Sequence, residues 1–336
     1  MIREGTQAKN LKELLPLVTP RNSRHCSMVT DDLHPHDLLA KGHLNHLLDM
    51  AIGEGLDPVE AIRMVTCNTA QYFGLRDVGA IAPGYRADIL ILSSLAPVRV
   101  RSVIKEGKLV FNEGGFTGGT GPEAKRQQVG AMNVRPFGPE AFAIPKTRGQ
   151  IRVIGLVPDQ ILTQQLLLEP AVRDGFIVSD TGRDILKLAV VERHGGTGRI
   201  GLGFVQGFGL KVGALASSVA HDSHNIITVG CDVGDLFAAV KAVEKMSGGL
   251  AAVRNGKVMA RMPLPIAGLM SDRPLAEVAR GWEELRWVSR DLGSVPAEPF
   301  MILSFLALPV IPELKLTDRG LVDVNRFEHV PLFVGG

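Results

Sequence analysis

Residues 27–38, SMVTDDLHPHDL, pass from a short apolar stretch into two adjacent acids and then into two histidines around a proline. The run HCSMVT (25–30) has the content of a strand, and Pro35 forces a bend soon after it. Asp31 and Asp32 therefore stand at a strand's C-terminal end. Successive side chains of an extended chain face opposite ways, so the two carboxylates serve different neighbours. A carboxylate in that place can bind a divalent cation through oxygen and can accept a proton from water. The same acids also suit a plainer use, capping the turn ahead of Pro35, and the pattern by itself leaves both uses open.

That placement fits the pattern of β/α barrels, which build their sites at the C-terminal ends of parallel strands. Around it, AKNLKELLPLV (8–18) has helical spacing, and HLNHLLDMAIGEG (43–55) puts Leu44, Leu47, Leu48, Ala51 and Ile52 on one helical face. DPVEAIRMV (57–65) starts a further helix with Asp57 as cap and Pro58 at its first position. NTAQYFGL (68–75) reads as a short helix capped by Asn68 or Thr69. VGAIAPGYRADILIL (78–92) and VRSVIKEGKLVF (100–111) are β-branched and punctuated by glycine, so they read as sheet. NEGGFTGGTG (112–121) is the best boundary.

A second, α+β unit follows. IRVIGLV (151–157) and DILKLAVVER (184–193) read as strands, with DQILTQQLLL (159–168) as a helix between them. The glycine-dense run 194–213, the stretch ALASSVAHDSHNIITVG (214–230) and a helix DLFAAVKAVEKM (235–246) come next. LAAVRNGKVMARMPL (250–264) has Asn255–Gly256 at the turn of a hairpin. The expected division, in which the barrel is what the resemblance described below implies, is 1–78, the end of a barrel; 79–118, a β-rich segment; 119–149, a linker; and 150–336, a C-terminal domain.

Composition excludes several partner classes. With 37 basic and 35 acidic residues the chain is nearly balanced, and no basic run is interleaved with aromatics as nucleic acid would require. The most apolar segment, 301–312, is too short to span a bilayer and is broken by Pro309 and Pro312. Cys26, Cys67 and Cys231 are odd in number and far apart, which favours a reducing, cytoplasmic setting. Cys26 reads as a buried apolar residue inside the strand.

The strings REGTQAKNL, TDDLHPHDLL, DPVEAIRMVTCNTAQYFGL and GAIAPGYRADILIL resemble adenine deaminases of the amidohydrolase superfamily. DILKLAVVERHGGTG, GFGLKVGALASSVAHDSHNIITVG and LPIAGLMS are similar to the C-terminal domain of the same family, so the likeness covers nearly the whole chain. It implies the terminal portion of a (β/α)8 metal-hydrolase barrel, a binuclear manganese or iron site, and hydrolytic deamination of adenine to hypoxanthine and ammonia in purine salvage. Asp31 matches the aspartate after the last barrel strand, a metal ligand and proton acceptor, and Asp32 is then placed to contact the purine.

The sequence departs from the family pattern ahead of Asp31, where 30 residues carry no His-x-His pair. So short a stretch cannot close an eight-stranded barrel of about 250 residues. The expectation is an N-terminally truncated enzyme with an incomplete ligand set; the alternative is a catalytically silent binding or assembly module. Exposed strand edges and the apolar face of 43–52 would then drive association into a homo-oligomer, a dimer. His34, His36, His43 and His46 read as surface or packing residues. AHDSHN (220–225) reads as a tight turn in which His221, Asp222 and His224 bind substrate or an ion, or in which Asp222 and Asn225 merely cap the turn. GTGRIGLG is not framed by strand, helix and later acid, so its glycines serve packing rather than a nucleotide.

Overall fold

The computed structural model describes residues 1–6, 9–117, 132–158 and 160–335. The chain divides into two compact units, Met1–Arg126 and Gln127–Gly336.

In the first unit, β1 (Ile2–Arg3) and β2 (Met28–Val29) form a parallel pair with Ile2 opposite Met28. Only two of the six residues in HCSMVT are paired, and Cys26 follows a 3₁₀ turn, Ser23–His25, rather than lying in the strand. The 8–18 pattern becomes one helical turn, α1 (Leu11–Leu14), continued by a 3₁₀ turn at Leu15–Leu17, since Pro16 offers no N–H to an α-helical ladder. Of the three helices after α2 (Pro35–Ala40), α3 (Leu44–Gly53) and α4 (Pro58–Val65) cover the pair, and α5 (Cys67–Tyr72) packs on α4 and on the 3₁₀ turn before β2. Leu47, Leu48 and Ala51 of α3 pack with Met28, Ala61 and Met64, as the apolar stripe requires. Asp57 caps α4 by accepting from the N–H groups of Val59 (2.9 Å) and Glu60 (3.1 Å). α5 starts before Asn68, which is buried and donates to the carbonyls of Ser23 (2.8 Å) and Cys26 (2.9 Å) instead of capping.

A meander of β3 (Ile89–Leu95), β4 (Val98–Lys105), β5 (Lys108–Asn112) and β6 (Gly115–Phe116) completes this unit. Residues 78–88, expected to begin the sheet, form turns. Half of the glycine-rich boundary stretch belongs to the β5–β6 turn, and residues 118–121 lie outside the described residues. The described strands of this unit form a parallel pair and an antiparallel meander, not a closed barrel.

The second unit is built on a large mixed sheet. The elements of the unit begin with β7 (Ile144–Pro145), β8 (Gln150–Leu156), β9 (Thr163–Leu168), β10 (Ala171–Arg173), β11 (Phe176–Val178), β12 (Ile185–Val191) and β13 (Ile200–Gln206), of which β10, β11 and β7 form a separate small sheet. They continue with β14 (Ala214–Ser217), β15 (Ile226–Gly230), α6 (Val233–Lys245), β16 (Gly249–Arg254), β17 (Lys257–Pro263), α7 (Leu275–Asp291) and α8 (Pro299–Phe305). A small meander of β18 (Leu314–Thr317), β19 (Gly320–Asp323) and β20 (Glu328–Val330) precedes β21 (Phe333–Val334). The sheet runs β17-β16-β14-β15-β12-β13-β8-β21, with β9 also on β8.

β12 lies at the centre with all seven residues buried. Leu186, Leu188 and Val190 face a core shared with α7, α8 and the small meander, while Ala189 and Val191 face α6. This period of two is what packing on both faces of a sheet demands. The segment expected to be a helix at 159–168 is instead β9, paired antiparallel with β8 from Ile151–Leu168 to Leu156–Thr163. A short apolar run carries no period that separates strand from helix, and the open edge of β8 decides it. Residues 139–145, assigned to the linker by sequence, carry a fully buried Phe142 and the β7 strand, both packed in this unit. The 250–264 hairpin has its turn at Asn255 (φ 52°) and Gly256 (φ 73°), the left-handed pair that Asn-Gly supplies.

Candidate functional site

The acid pair sits where the chain after β2 runs beside the chain after β1. Glu4 N–H donates to the Val29 carbonyl (3.1 Å), and Thr6 N–H donates to the Asp32 carbonyl (2.8 Å). Gly5 makes the approach possible, since a Cβ there would lie 2.0 Å from Asp32 Oδ1 and 2.6 Å from the Thr30 carbonyl oxygen. Asp31 adopts a left-handed φ of 55°, so the two carboxylates diverge by a backbone turn rather than by strand alternation. Asp31 Oδ2 accepts from Arg3 Nη1 at 3.0 Å, with both side chains nearly half exposed.

Behind the pair lies a network the sequence did not reveal. Thr6 Oγ1 donates to Asp37 Oδ2 (2.8 Å) and accepts from His34 N–H (3.0 Å). Asp37 also takes Lys41 Nζ (2.8 Å) and lies 3.5 Å from His36 Nε2. Burial raises the Asp37 carboxyl, but hydrogen bonds from Lys41 and Thr6 and the nearby positive charges outweigh it and hold it below its ordinary value. Asp37 lies in the first turn of the helix after His34, and that Thr6 reaches it across the fold was not legible in the sequence. His34 is buried against His36, with ring centroids 5.8 Å apart, and His43 shares a hydrogen bond with Thr30 Oγ1 (3.2 Å).

The second set of predicted residues lies in the other unit, in the turn between β14 and β15. His221 N–H donates to the Ser304 carbonyl (3.1 Å), and its ring lies 4.9 Å from Phe305 and 5.4 Å from His224. Ala220 N–H donates to His224 Nδ1 (3.3 Å), so the neutral ring carries its proton on Nε2. Burial, then the charges of His221 and Arg193, push His224 below its ordinary value, which suits that neutral form. Asp222 and Ser223 border a cleft of about 450 Å³. Its other walls are Ala307, Pro309 and Val310 after α8 and Thr317, Asp318 and Phe327 of the small meander.

Two residues that sequence reasoning passed over, Glu192 and Arg193 at the end of β12, organise this region. Glu192 is buried and accepts from the N–H groups of His194 (2.5 Å), Gly195 (2.6 Å) and Thr197 (2.9 Å) and from Thr197 Oγ1 (2.9 Å). Burial alone would raise its pKa, but these donors bring it down to about 2. Glu192→Gln puts an NH₂ where an oxygen accepts, leaving at least one amide unsatisfied, and is expected to cost about 2 kcal/mol. The wild-type advantage is complete above the unfolded carboxyl value and is lost as pH falls toward about 2, which urea unfolding at pH 3 and pH 7 will show. The glutamate's neighbour string HGGTG, three donors on a tight glycine turn, was the available signal.

The amidohydrolase family implies a divalent metal, and the described residues do not by themselves fit one. Among them no group of three or more His, Cys, Asp or Glu side chains is arranged to hold an ion. Asp31 offers one carboxylate, and Asp37 is taken up by Thr6 and Lys41. Among the described residues no helix is long and apolar enough to cross a membrane.

Residues 5–110 match the family model of the amidohydrolase family, and residues 160–328 match that of the adenine deaminase C-terminal domain. The chain is 54% identical over 333 residues to a protein named adenine deaminase from Desulfatibacillum aliphaticivorans, covering 99% of this chain and 58% of the relative. It is 51% identical over 336 residues to an adenine deaminase of Methanothrix thermoacetophila and 49% identical over 335 residues to adenine deaminase 2 of Carboxydothermus hydrogenoformans, each covering 99% of this chain and 58% of the relative. It thus spans under two thirds of the length of these relatives. Both matched segments, and identity along nearly all of the chain, lead to one conclusion: the chain belongs to the adenine deaminase family.

Proposed function

We propose that this chain is part of an adenine deaminase, which hydrolyses adenine to hypoxanthine and ammonia in purine salvage. The observation that carries the reading is the identity of 49–54% along 99% of the chain to proteins of that name. In it, the first unit is the end of a (β/α)8 barrel, and β2 is the strand that delivers Asp31 and Asp32 to its C-terminal mouth. Asp31 accepts the proton of the attacking water and would be one of the residues holding a manganese or iron pair, no further set of ligands standing with it among the described residues. Asp32 contacts the purine. His221, Asp222 and His224 bind substrate, with the His224 Nε2–H a fixed donor of the kind a purine ring nitrogen accepts. The setting is the cytoplasm.

A second reading, a binding or assembly module without activity of its own, is favoured by the lack of a metal-ligating cluster among the described residues. Fusing the chain to the part of the Desulfatibacillum relative that it does not span, and following adenine loss by ultraviolet absorbance with manganese or iron, separates the two. Turnover by the fusion supports the first reading; no turnover with either metal sinks it. Exposed Ile81 (81%) and Leu90 (57%), on the rim of an apolar groove in the first unit, favour self-association as a homo-oligomer, a dimer. Light scattering of the purified chain is expected to give more than the monomer mass, and a monodisperse monomer contradicts this.

A further inference from the structure

We infer that Arg193 is the positioning residue that holds the 220–225 turn in the one conformation that presents Asp222 and Ser223 at the cleft and sets His224 behind them. The inference rests on the substrate-binding reading of that turn only for its purpose; the geometry stands on its own.

Arg193 has the largest fully buried side chain, at 2% exposure, a costly place for a guanidinium unless its donors are used. Two of them are used on backbone. Nε donates to the His224 carbonyl and Nη2 donates to the Ala267 carbonyl (3.1 Å). Both acceptors belong to residues with left-handed backbone, His224 at φ 51° and Ala267 at φ 56°, conformations that cost energy in non-glycine residues and persist where their surroundings hold them. The main chain of Arg193 adds to this, its N–H donating to Asn225 Oδ1 at 3.2 Å. Next to it, His194 Nε2–H donates to the Ser223 carbonyl (2.8 Å). The planar fork thus ties His224 to the loop 266–270, while the Arg193 main chain and His194 hold its neighbours Asn225 and Ser223.

The far side of the clamp is closed by Gly268, φ +73°, where a Cβ would stand 2.9 Å from Arg193 Nη1 and 3.0 Å from its Cζ. Ser218, at the end of β14, ties the same loop from below by donating to the Gly268 carbonyl (2.6 Å). AHDSHN and LPIAGLM, which look independent along the chain, are therefore two halves of one arrangement with Arg193 between them. A lysine retains the charge but is a single point donor on a flexible stem, so it cannot serve Nε and Nη2 positions together.

The test is the ring titration of His224, followed by NMR in the whole chain for wild type, Arg193→Lys and Gly268→Ala. The groups acting on His224 are His221, Arg193, Asp222 and His194. In wild type it titrates below the ordinary histidine value, chiefly through burial. Arg193→Lys keeps the positive charge, so a rise of His224 into the ordinary range reports release of the turn into water. Gly268→Ala displaces the guanidinium from the opposite side and is expected to give the same rise, which keeps the test open if one variant folds poorly. An unchanged low titration in a folded variant, accompanied only by a lower melting temperature, overturns the inference and leaves Arg193 an ordinary core residue. Equilibrium dialysis with adenine judges the other reading: failure of wild type to bind removes the substrate role of the turn, while the titration still decides the clamp.

Discussion

Asp31→Asn is expected to lower adenine turnover by the fusion protein roughly 10²–10⁴-fold, the range that a positioned proton acceptor supplies. The substitution isolates chemistry from folding for three reasons. An amide has the shape of the carboxylate yet cannot take a proton at neutral pH. Asparagine is at ease in the left-handed region that Asp31 occupies at φ 55°, whereas alanine there would add strain. The ion pair that is lost, Arg3 with Asp31 at 3.0 Å, is nearly half exposed on both sides, where such pairs contribute about 0–1 kcal/mol. The variant should therefore melt within a few degrees of wild type while adenine absorbance stays flat. Turnover at the wild-type rate would remove Asp31 from the mechanism and transfer attention to Asp32 and Asp37.

The second large effect is on stability at alkaline pH. Lys187 and Lys315 are buried at 2% and 0% exposure. Each donates from Nζ to a carbonyl, Lys187 to Phe142 (2.8 Å) and Lys315 to Ile161 (3.0 Å). Burial pushes both ammonium groups down to about 8. The folded state then holds fewer protons than the unfolded state between about pH 8 and the ordinary lysine value of 10.5, so stability rises with pH across that window. Below pH 8 the full penalty applies, roughly 3 kcal/mol for each lysine at about 1.4 kcal/mol per pKa unit. Cys231, whose partly buried thiol is pushed up to about 12, works the other way above pH 9, so the clean interval is pH 8 to 9. There the two lysines together are expected to add about 2 kcal/mol. Urea midpoints at pH 7.5 and 9 measure it, and Lys315→Met should remove about half of the rise. A flat profile in wild type would mean that water reaches both amines.

Helices with a strong internal pattern were legible. Asp57–Pro58 starts α4 because one side chain and one missing N–H settle its first turn locally. The Asn255–Gly256 hairpin was legible for the same reason, since only a few residue types accept two left-handed positions in succession. β9 was not, because a strand with a neighbour on β8 and a helix without one look alike in a run as short as TQQLLL. Nor was the part played by Asn68, whose amide is drawn inward by carbonyls 42 and 45 residues away.

For the candidate site the division is similar. Asp31, Asp32 and the AHDSHN turn announce themselves, because paired acids at a strand end and a polar turn between apolar strands are local patterns. Thr6, Asp37, Glu192 and Arg193 do not, because each acts through partners that the chain brings back from a distance.

The sequence by itself determined which segments are apolar, where Asp57–Pro58 and Asn255–Gly256 start a helix and turn a hairpin, and which family the chain resembles, all of them consequences of residue type and spacing over a few turns of chain. Tertiary structure alone decided which backbone groups the buried side chains would satisfy. A buried guanidinium, carboxylate or ammonium must find its partners wherever the fold places them, and hydrogen-bond geometry is short-ranged in space while indifferent to separation along the chain.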